Sequence, residues 1–253
     1  MTNIAVCGAC GKMGKFIYDV ISERSDCKIV GGIDKFGEAY ADFPVVKTAA
    51  ELPVKPDVII DFSHPSALDD LINYGLTNGV SLVLATTGYT DEDIKKIHKA
   101  AGQIPVFFTF NMTLGINLLA QLAKKAVKVL GNQYDIEIIE KHHNQKIDAP
   151  SGTAIMLADA INEELDEKYT YTYDRHSVRA KRSKTEIGMH AVRGGTIVGE
   201  HEILFCGRDE VITLKHEAHS KQVFAVGAVN AAVFVAQKPA GLYAMSDLLS
   251  EAE

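Results

Sequence analysis

One run of the chain holds the side chains best suited to chemistry: Glu140-Lys141-His142-His143-Asn144-Gln145-Lys146-Ile147-Asp148-Ala149-Pro150-Ser151-Gly152-Thr153. A histidine gives up a proton near neutral pH. Lys146 supplies a cation for an anionic group. Ser151, Gly152 and Thr153 open a helix, where hydroxyls and backbone N–H groups bind a carboxylate. Together they suit a small anionic substrate with a proton donor beside it. The alternative is a charged connecting loop that runs into an N-capped helix. Adjacent residues on a strand face opposite ways, so His142 and His143 are poor joint ligands for one metal, and one of them is free to be structural.

A second run is Gly8-Ala9-Cys10-Gly11-Lys12-Met13-Gly14. It follows an apolar strand pattern and opens a helical one. Glycines let the backbone turn sharply and approach a pyrophosphate at the helix N-terminus. Asp34 closes the next strand about 20 residues on, where a carboxylate accepts from an adenosine ribose. Lys12 and Lys35 would suit a 2′-phosphate that Asp34 would repel, so the pattern favours NADH without excluding NADPH. The alternative is a tight glycine turn with a surface aspartate. Cys7 and Cys10 also form a C-x-x-C pair of the redox type, but the glycine loop already accounts for that turn. No further ligands are spaced for a zinc site, and no metal is expected.

These residues need elements to position them. Apolar runs at 3–7, 28–33, 58–62, 81–85 and 105–110 read as buried strands. Helical spacing appears between Met13 and Ile21, after Pro65, and from Asp91 to Ala101. Strands alternating with helices imply a doubly wound parallel sheet. The second half reads differently. Helices are expected at 115–130 and 153–165, with a strand at 135–140. A polar surface loop follows at 166–184, and then short successive strands at 189–192, 196–198, 202–205 and 211–216. Strands in succession suggest an antiparallel or mixed sheet. Residues 223–236 are small and apolar on all sides, as in a buried helix. His190, His201, His216 and His219 lie on or near this second sheet and read as structural, with one or two helping to hold an anion.

The chain has 253 residues, 47% hydrophobic and 23% charged, with a net charge of −7. That is a globular balance with no field to hold nucleic acid or an anionic membrane. Four cysteines are too few for a disulfide framework. No apolar run spans a bilayer and nothing at the N-terminus reads as a signal peptide, so a cytoplasmic protein is expected.

The run from Glu140 to Ala154 resembles the signature of the 4-hydroxy-tetrahydrodipicolinate (dihydrodipicolinate) reductase family. The likeness extends to Asp61-Phe62-Ser63, Ala85 to Tyr89, Asn111 to Asn117, Arg193-Gly194-Gly195, Val198 to His201, Phe224 to Ala228 and Gly241-Leu242-Tyr243. The resemblance implies reduction of 4-hydroxy-tetrahydrodipicolinate to tetrahydrodipicolinate by NADH or NADPH, with loss of water, in the diaminopimelate route to lysine. It implies His142 as proton donor and Lys146 as its partner, with His143, Gly152 and Thr153 on the substrate carboxylates, to which the helix-start reading adds Ser151. It implies a cofactor site of Gly8, Ala9, Cys10, Gly11, Lys12, Met13 and Asp34, to which the charge reading adds Lys35, a second loop of Ala85, Thr86 and Thr87, and a third of Thr109, Phe110, Asn111 and Met112. The family commonly has glycine at Ala85, an aromatic at Met112 and arginine at Lys221.

With the resemblance, the expected fold is α/β: a doubly wound Rossmann-type nucleotide domain at 1–111 and 222–253. An α+β domain for substrate binding and oligomerisation is inserted at 112–221, and a homotetramer is implied. A semialdehyde dehydrogenase is disfavoured because no cysteine sits in a nucleophile context. A non-catalytic dinucleotide sensor would have no use for His142 and Lys146 together.

Overall fold

The computed structural model describes residues 1–109 and 111–251, so the expectation for Phe110 lies outside the described residues. In chain order the elements begin β1 (Thr2–Cys7), α1 (Lys12–Ser22), β2 (Cys27–Ile33), β3 (Val45–Val46), β4 (Val58–Asp61), α2 (Leu68–Asn78), β5 (Ser81–Leu84), α3 (Asp91–Ala101) and β6 (Pro105–Phe108). They continue α4 (Leu114–Leu130), β7 (Asp135–His142), α5 (Gly152–Asn162), β8 (Thr170–Thr172), β9 (Glu186–Arg193), β10 (Gly199–Cys206) and β11 (Val211–Ala218). The chain closes with α6 (Gln222–Val235), β12 (Gly241–Tyr243) and α7 (Met245–Ser250). Two compact units result: Met1–Leu114 with Gln222–Glu253, and Gly115–Lys221. Met112 to Leu114 thus group with the first unit, where Met112 is buried in a core shared with α6.

The first unit is built on a seven-stranded sheet in the order β12-β6-β5-β4-β1-β2-β3, with every pairing parallel. Its strands read as continuous apolar runs because both faces are covered. On β4, Val58 and Ile60 enter a core with Ile17, Ala225, Val229 and Ala232. Ile59 points the other way, into a core with Leu68, Leu71 and Ile97. β5 divides likewise, Val83 to one core and Leu82 and Leu84 to the other. The strand order reverses at β1 and β4, and in such sheets ligands bind at the carboxyl ends of the strands beside that reversal. This is the doubly wound Rossmann-type arrangement.

The second unit is α+β. Its sheet, β11-β10-β7-β9-β8, is mixed: β10 runs antiparallel to β11 and β7, while β7–β9 and β9–β8 are parallel. One face carries Ile136, Ile138, Ile187, Met189, Ile203 and Phe205 against Leu119, Ala123 and Val127 of α4 and Leu157 and Ile161 of α5.

Two expectations for this unit need correction. Residues 196–198 form no strand; Thr196 belongs to the turn with Gly195, which has φ +48° and whose carbonyl accepts from the Asn144 N–H. The stretch 166–184 is not only a loop. It contains β8, and Arg175 and Arg182 pin it to the sheet through Glu137 and Glu186. Among the described residues no helix is long and apolar enough to cross a membrane.

Candidate active site

β7 alternates, and its inward positions are Ile136, Ile138, Glu140 and His142. The first two continue the apolar core. The last two put a carboxylate and an imidazole on the same face, because strand side chains repeat every second residue. The strand runs two residues beyond the expected 135–140, and that brings His142 into the ladder opposite Arg193 of β9. His201 of β10 stands opposite Glu140, and His216 of β11 opposite His201. Gly199 supplies the room for His142: a Cβ there would lie 3.2 Å from the imidazole Nε2.

Glu140 is the hub. Its side chain is 1% exposed. His142 Nδ1 donates to Oε2 at 2.6 Å. Arg193 grips both carboxylate oxygens at 2.7 Å, and the Ser151 N–H donates to Oε1 at 2.9 Å. A buried charge is tolerable only when paired and hydrogen-bonded in this way. Burial alone would raise the Glu140 pKa. Arg193, His142 and the Ser151 amide outweigh it and hold the carboxylate below its usual range. Burial pushes His142 down and, with the charges of Lys146 and Arg193, outweighs the pull of Glu140. With Nδ1 engaged by the carboxylate, Nε2 is the nitrogen left to exchange a proton.

The loop beyond β7 returns to the same place. The His143 carbonyl accepts from the Lys146 N–H, and Lys146 Nζ pairs with Asp148 at 2.8 Å. Ser151 then caps α5, its Oγ accepting from the Ala154 N–H. Gly152 opens the helix with nothing within 4 Å of where a Cβ would stand. His142, Lys146, Gly152 and Thr153 are therefore set around one strand end and one helix start, a geometry that suits an anion next to a proton donor. Among the described residues no hydrogen bond, ion pair or ring contact joins the His143 imidazole to this cluster.

Ser151 departs from its expected role. It is 1% exposed, its Oγ is shared between Ala154 and His201 Nε2, and its N–H serves Glu140, so it supports the site from behind. Glu140 and Arg193 are members of the site that the sequence reading leaves without a role, and His201 is one of four histidines it leaves between structure and anion binding. For Glu140 the signal existed: a carboxylate two positions before a histidine on a strand.

His201 carries a testable consequence. It is 4% exposed, and burial pushes its pKa down to about 3. Below pH 6.5 the unfolded chain takes up a proton that the folded chain refuses, so stability falls by about 1.4 kcal/mol per pH unit until the folded pKa is reached. Denaturant unfolding of His201→Gln at pH 7.5 and pH 5 should show about 2 kcal/mol less acid loss than the parent chain. Equal losses would contradict this assignment.

In the first unit, Gly8 (φ +79°) turns the chain at the end of β1, in a conformation that side chains disfavour. Gly14 lets α1 close on that turn: a Cβ there would stand 2.2 Å from the Ala9 carbonyl oxygen. The N-cap of α1 is Gly11, which offers no side-chain acceptor, and the first turn holds no acidic residue. By contrast Thr90 caps α3 and Ser151 caps α5. An uncapped helix start behind a glycine turn fits a diphosphate. Asp34 accepts from the N–H groups of Cys10, Phe36 and Gly37, all at 3.1 Å. A carboxylate has about four acceptor sites, which leaves room for one ribose hydroxyl.

In the two other loops expected to meet the cofactor, the side chains of Thr86 and Met112 face inward. Thr86 is 8% exposed, and its hydroxyl donates to the fully buried Asp61, which Tyr89 and Ser63 also bond. Met112 is 3% exposed in the core. Burial, then Asp61, pushes Cys7 up to about 12, and burial, then Asp34, raises Cys10, so neither favours the thiolate that disulfide exchange requires.

Comparison with known proteins identifies the family. Residues 2–112 match the family model for the dihydrodipicolinate reductase N-terminus, and residues 115–249 match that for its C-terminus. The chain belongs to the dihydrodipicolinate reductase family. It is 46% identical over 249 residues to the 4-hydroxy-tetrahydrodipicolinate reductase of Clostridium novyi (strain NT), covering 98% of each chain. It is 47% identical to that of Caldanaerobacter subterraneus subsp. tengcongensis, covering 99% of each. A dipicolinate-bound dihydrodipicolinate reductase from Paenisporosarcina sp. TG-14 superposes with a TM-score of 0.79 at 27% identity, over 96% of this chain and 97% of that one.

Proposed function

We propose that this chain reduces 4-hydroxy-tetrahydrodipicolinate to tetrahydrodipicolinate with loss of water, in the diaminopimelate route to lysine, using NADH or NADPH. The observation that carries this reading is the Glu140–His142 pair set beside Lys146 and the N-terminus of α5. A cyclic dicarboxylate needs anion contacts and a proton donor, and that cluster offers both. The Paenisporosarcina relative binds dipicolinate, which is itself a cyclic dicarboxylate.

The nicotinamide cofactor supplies hydride when bound. Gly8, Ala9, Cys10, Gly11, Lys12 and Met13 cradle its phosphates, Asp34 and Lys35 meet the adenosine end, and Ala85, Thr87, Thr109 and Asn111 line the remainder. His142 delivers a proton from Nε2, while Glu140 keeps Nδ1 occupied. Lys146 offsets the negative charge of the substrate. The α5 amides at Gly152 and Thr153 orient one carboxylate, and His143 takes part in holding the other. The substrate's two negative charges raise the pKa of His142 as it binds, so the donor is charged in the complex although burial keeps it low in the free enzyme. The second-unit sheet is the surface through which copies assemble as a homotetramer, and the compartment is the cytoplasm.

The test is oxidation of NADH and of NADPH that depends on the condensation product of pyruvate and aspartate semialdehyde. The same assay on Asp34→Ala should show NADH weakened more than NADPH, because a ribose acceptor and a repulsive charge are both lost. A hydrogen bond to a charged group contributes about 1.5–3 kcal/mol, roughly ten- to a hundredfold in affinity. No product-dependent oxidation would reject the activity. An unchanged cofactor ratio would remove Asp34 from the ribose site.

A further inference from the structure

We propose that Glu140 and Arg193 are positioning residues: a buried carboxylate and a half-buried guanidinium that hold the His142 imidazole in one tautomer and suspend the Lys146–Thr153 segment beside it. This rests on the reading of His142 as proton donor.

The geometry is specific. Arg193 reaches both oxygens of Glu140, and its Nη2 also donates to the Asp148 carbonyl at 2.6 Å. Asp148 in turn holds Lys146, and Glu140 holds the Ser151 N–H at the start of α5. A single fork therefore fixes the imidazole, the cation and the helix start that must meet one substrate. Planar two-point pairing of this kind sets orientation as well as charge, and a lysine at 193 would supply only a point charge. The groups that face His142 are Glu140 on its own strand, Arg193 from β9, His201 from β10 with ring centroids 5.2 Å apart, and Lys146 from the loop. Glu140 is the one anion among them, so it alone favours the charged imidazole.

Removing either partner should therefore act on His142 in opposite directions. In Glu140→Gln the imidazole keeps its cationic neighbours and loses its anion, so its pKa falls by about one pH unit or more. In Arg193→Met the carboxylate keeps the Ser151 N–H but loses its guanidinium, so His142 is the cation left beside it and the pKa rises. A general acid works only while protonated. The alkaline limb of kcat/KM should accordingly move to lower pH in the first variant and to higher pH in the second. Arg193→Met should also raise KM, because Asp148 and with it Lys146 lose their tether. Arg193→Lys should restore the position of the limb more fully than the KM, since it returns charge without the fork.

The experiment is NMR titration of the His142 ring in isotope-labelled protein, assigned against His142→Gln, together with pH profiles of kcat/KM. Opposite displacements support the proposal. A titration that is unmoved or raised in Glu140→Gln overturns it, and so do shifts in the same direction in both variants. Should Arg193→Met fail to fold, the near-isosteric Glu140→Gln decides by itself. The ring titration reads the pair independently of turnover. If the ring shifts as expected but His142→Gln keeps normal turnover, the proton-donor reading fails and the positioning of the ring stands.

Discussion

His142→Gln is expected to lower kcat by about a hundred- to ten-thousandfold, the range associated with general-acid transfer. Lys146→Ala should behave differently. It removes charge that acts on bound substrate and transition state alike, so KM should rise as kcat falls. Cofactor affinity should be unchanged in both, because the glycine loop belongs to the first unit and these residues to the second. The pH profiles add a sharper check. Burial keeps the His142 pKa below its ordinary value in the free enzyme, and a bound dicarboxylate raises it. The alkaline limb of kcat should then lie at higher pH than that of kcat/KM, since the first reports the complex and the second the free enzyme. Near-normal turnover in a folded His142→Gln would remove the residue from the chemistry.

The second large effect is expected at Gly14. An added methyl would stand 2.2 Å from the Ala9 oxygen and 2.5 Å from the Gly8 oxygen. Both are backbone atoms of the turn itself, so α1 must move off β1 or the turn must open. Overpacking of this kind destabilises by about 1–3 kcal/mol. Here it also displaces the amides proposed to hold the cofactor phosphates, so NADH affinity should fall at least tenfold along with stability. Gly102→Ala is the control, since a Cβ there meets only the Lys99 oxygen at 3.4 Å. Fluorescence titration with NADH and thermal unfolding measure both effects. Parent-like binding in Gly14→Ala would mean that close approach is not needed.

The parallel sheet was readable because its strands are short apolar runs bounded by glycine and polar turns, and Asp91–Ala101 has its capping residues in plain sight at Thr90 and Asp93. Two- and three-residue strands such as Val45–Val46 and Gly241–Tyr243 show no alternation to detect. Residues 196–198 are rich in strand formers, but the glycine turn that includes Thr196 takes them out of the ladder. The site was half legible. His142, Lys146 and the α5 start lie in one continuous run, where local spacing carries the message. Arg193, His201 and His216 arrive from three other strands, and only the register of a mixed sheet brings them to the same end. Thr86 shows the converse limit. A polar residue in a suitable loop gives no hint that Asp61, on another strand, will claim its hydroxyl.

The first unit is made from two separated stretches of chain, and α6 is the piece that returns. Ala225, Ala228, Val229, Ala231, Ala232 and Val235 are each 0% exposed, and most of what they cover belongs to the first half of the sequence. During synthesis, β1, β4 and β5 leave the ribosome long before their cover does. At roughly 5–20 residues per second, the interval lasts several seconds or more. The intervening unit is continuous in sequence and can fold within that interval. The nascent parallel sheet meanwhile has one apolar face covered by α1 alone, and the part that α6 will cover is open to chaperones or to self-association until that helix emerges.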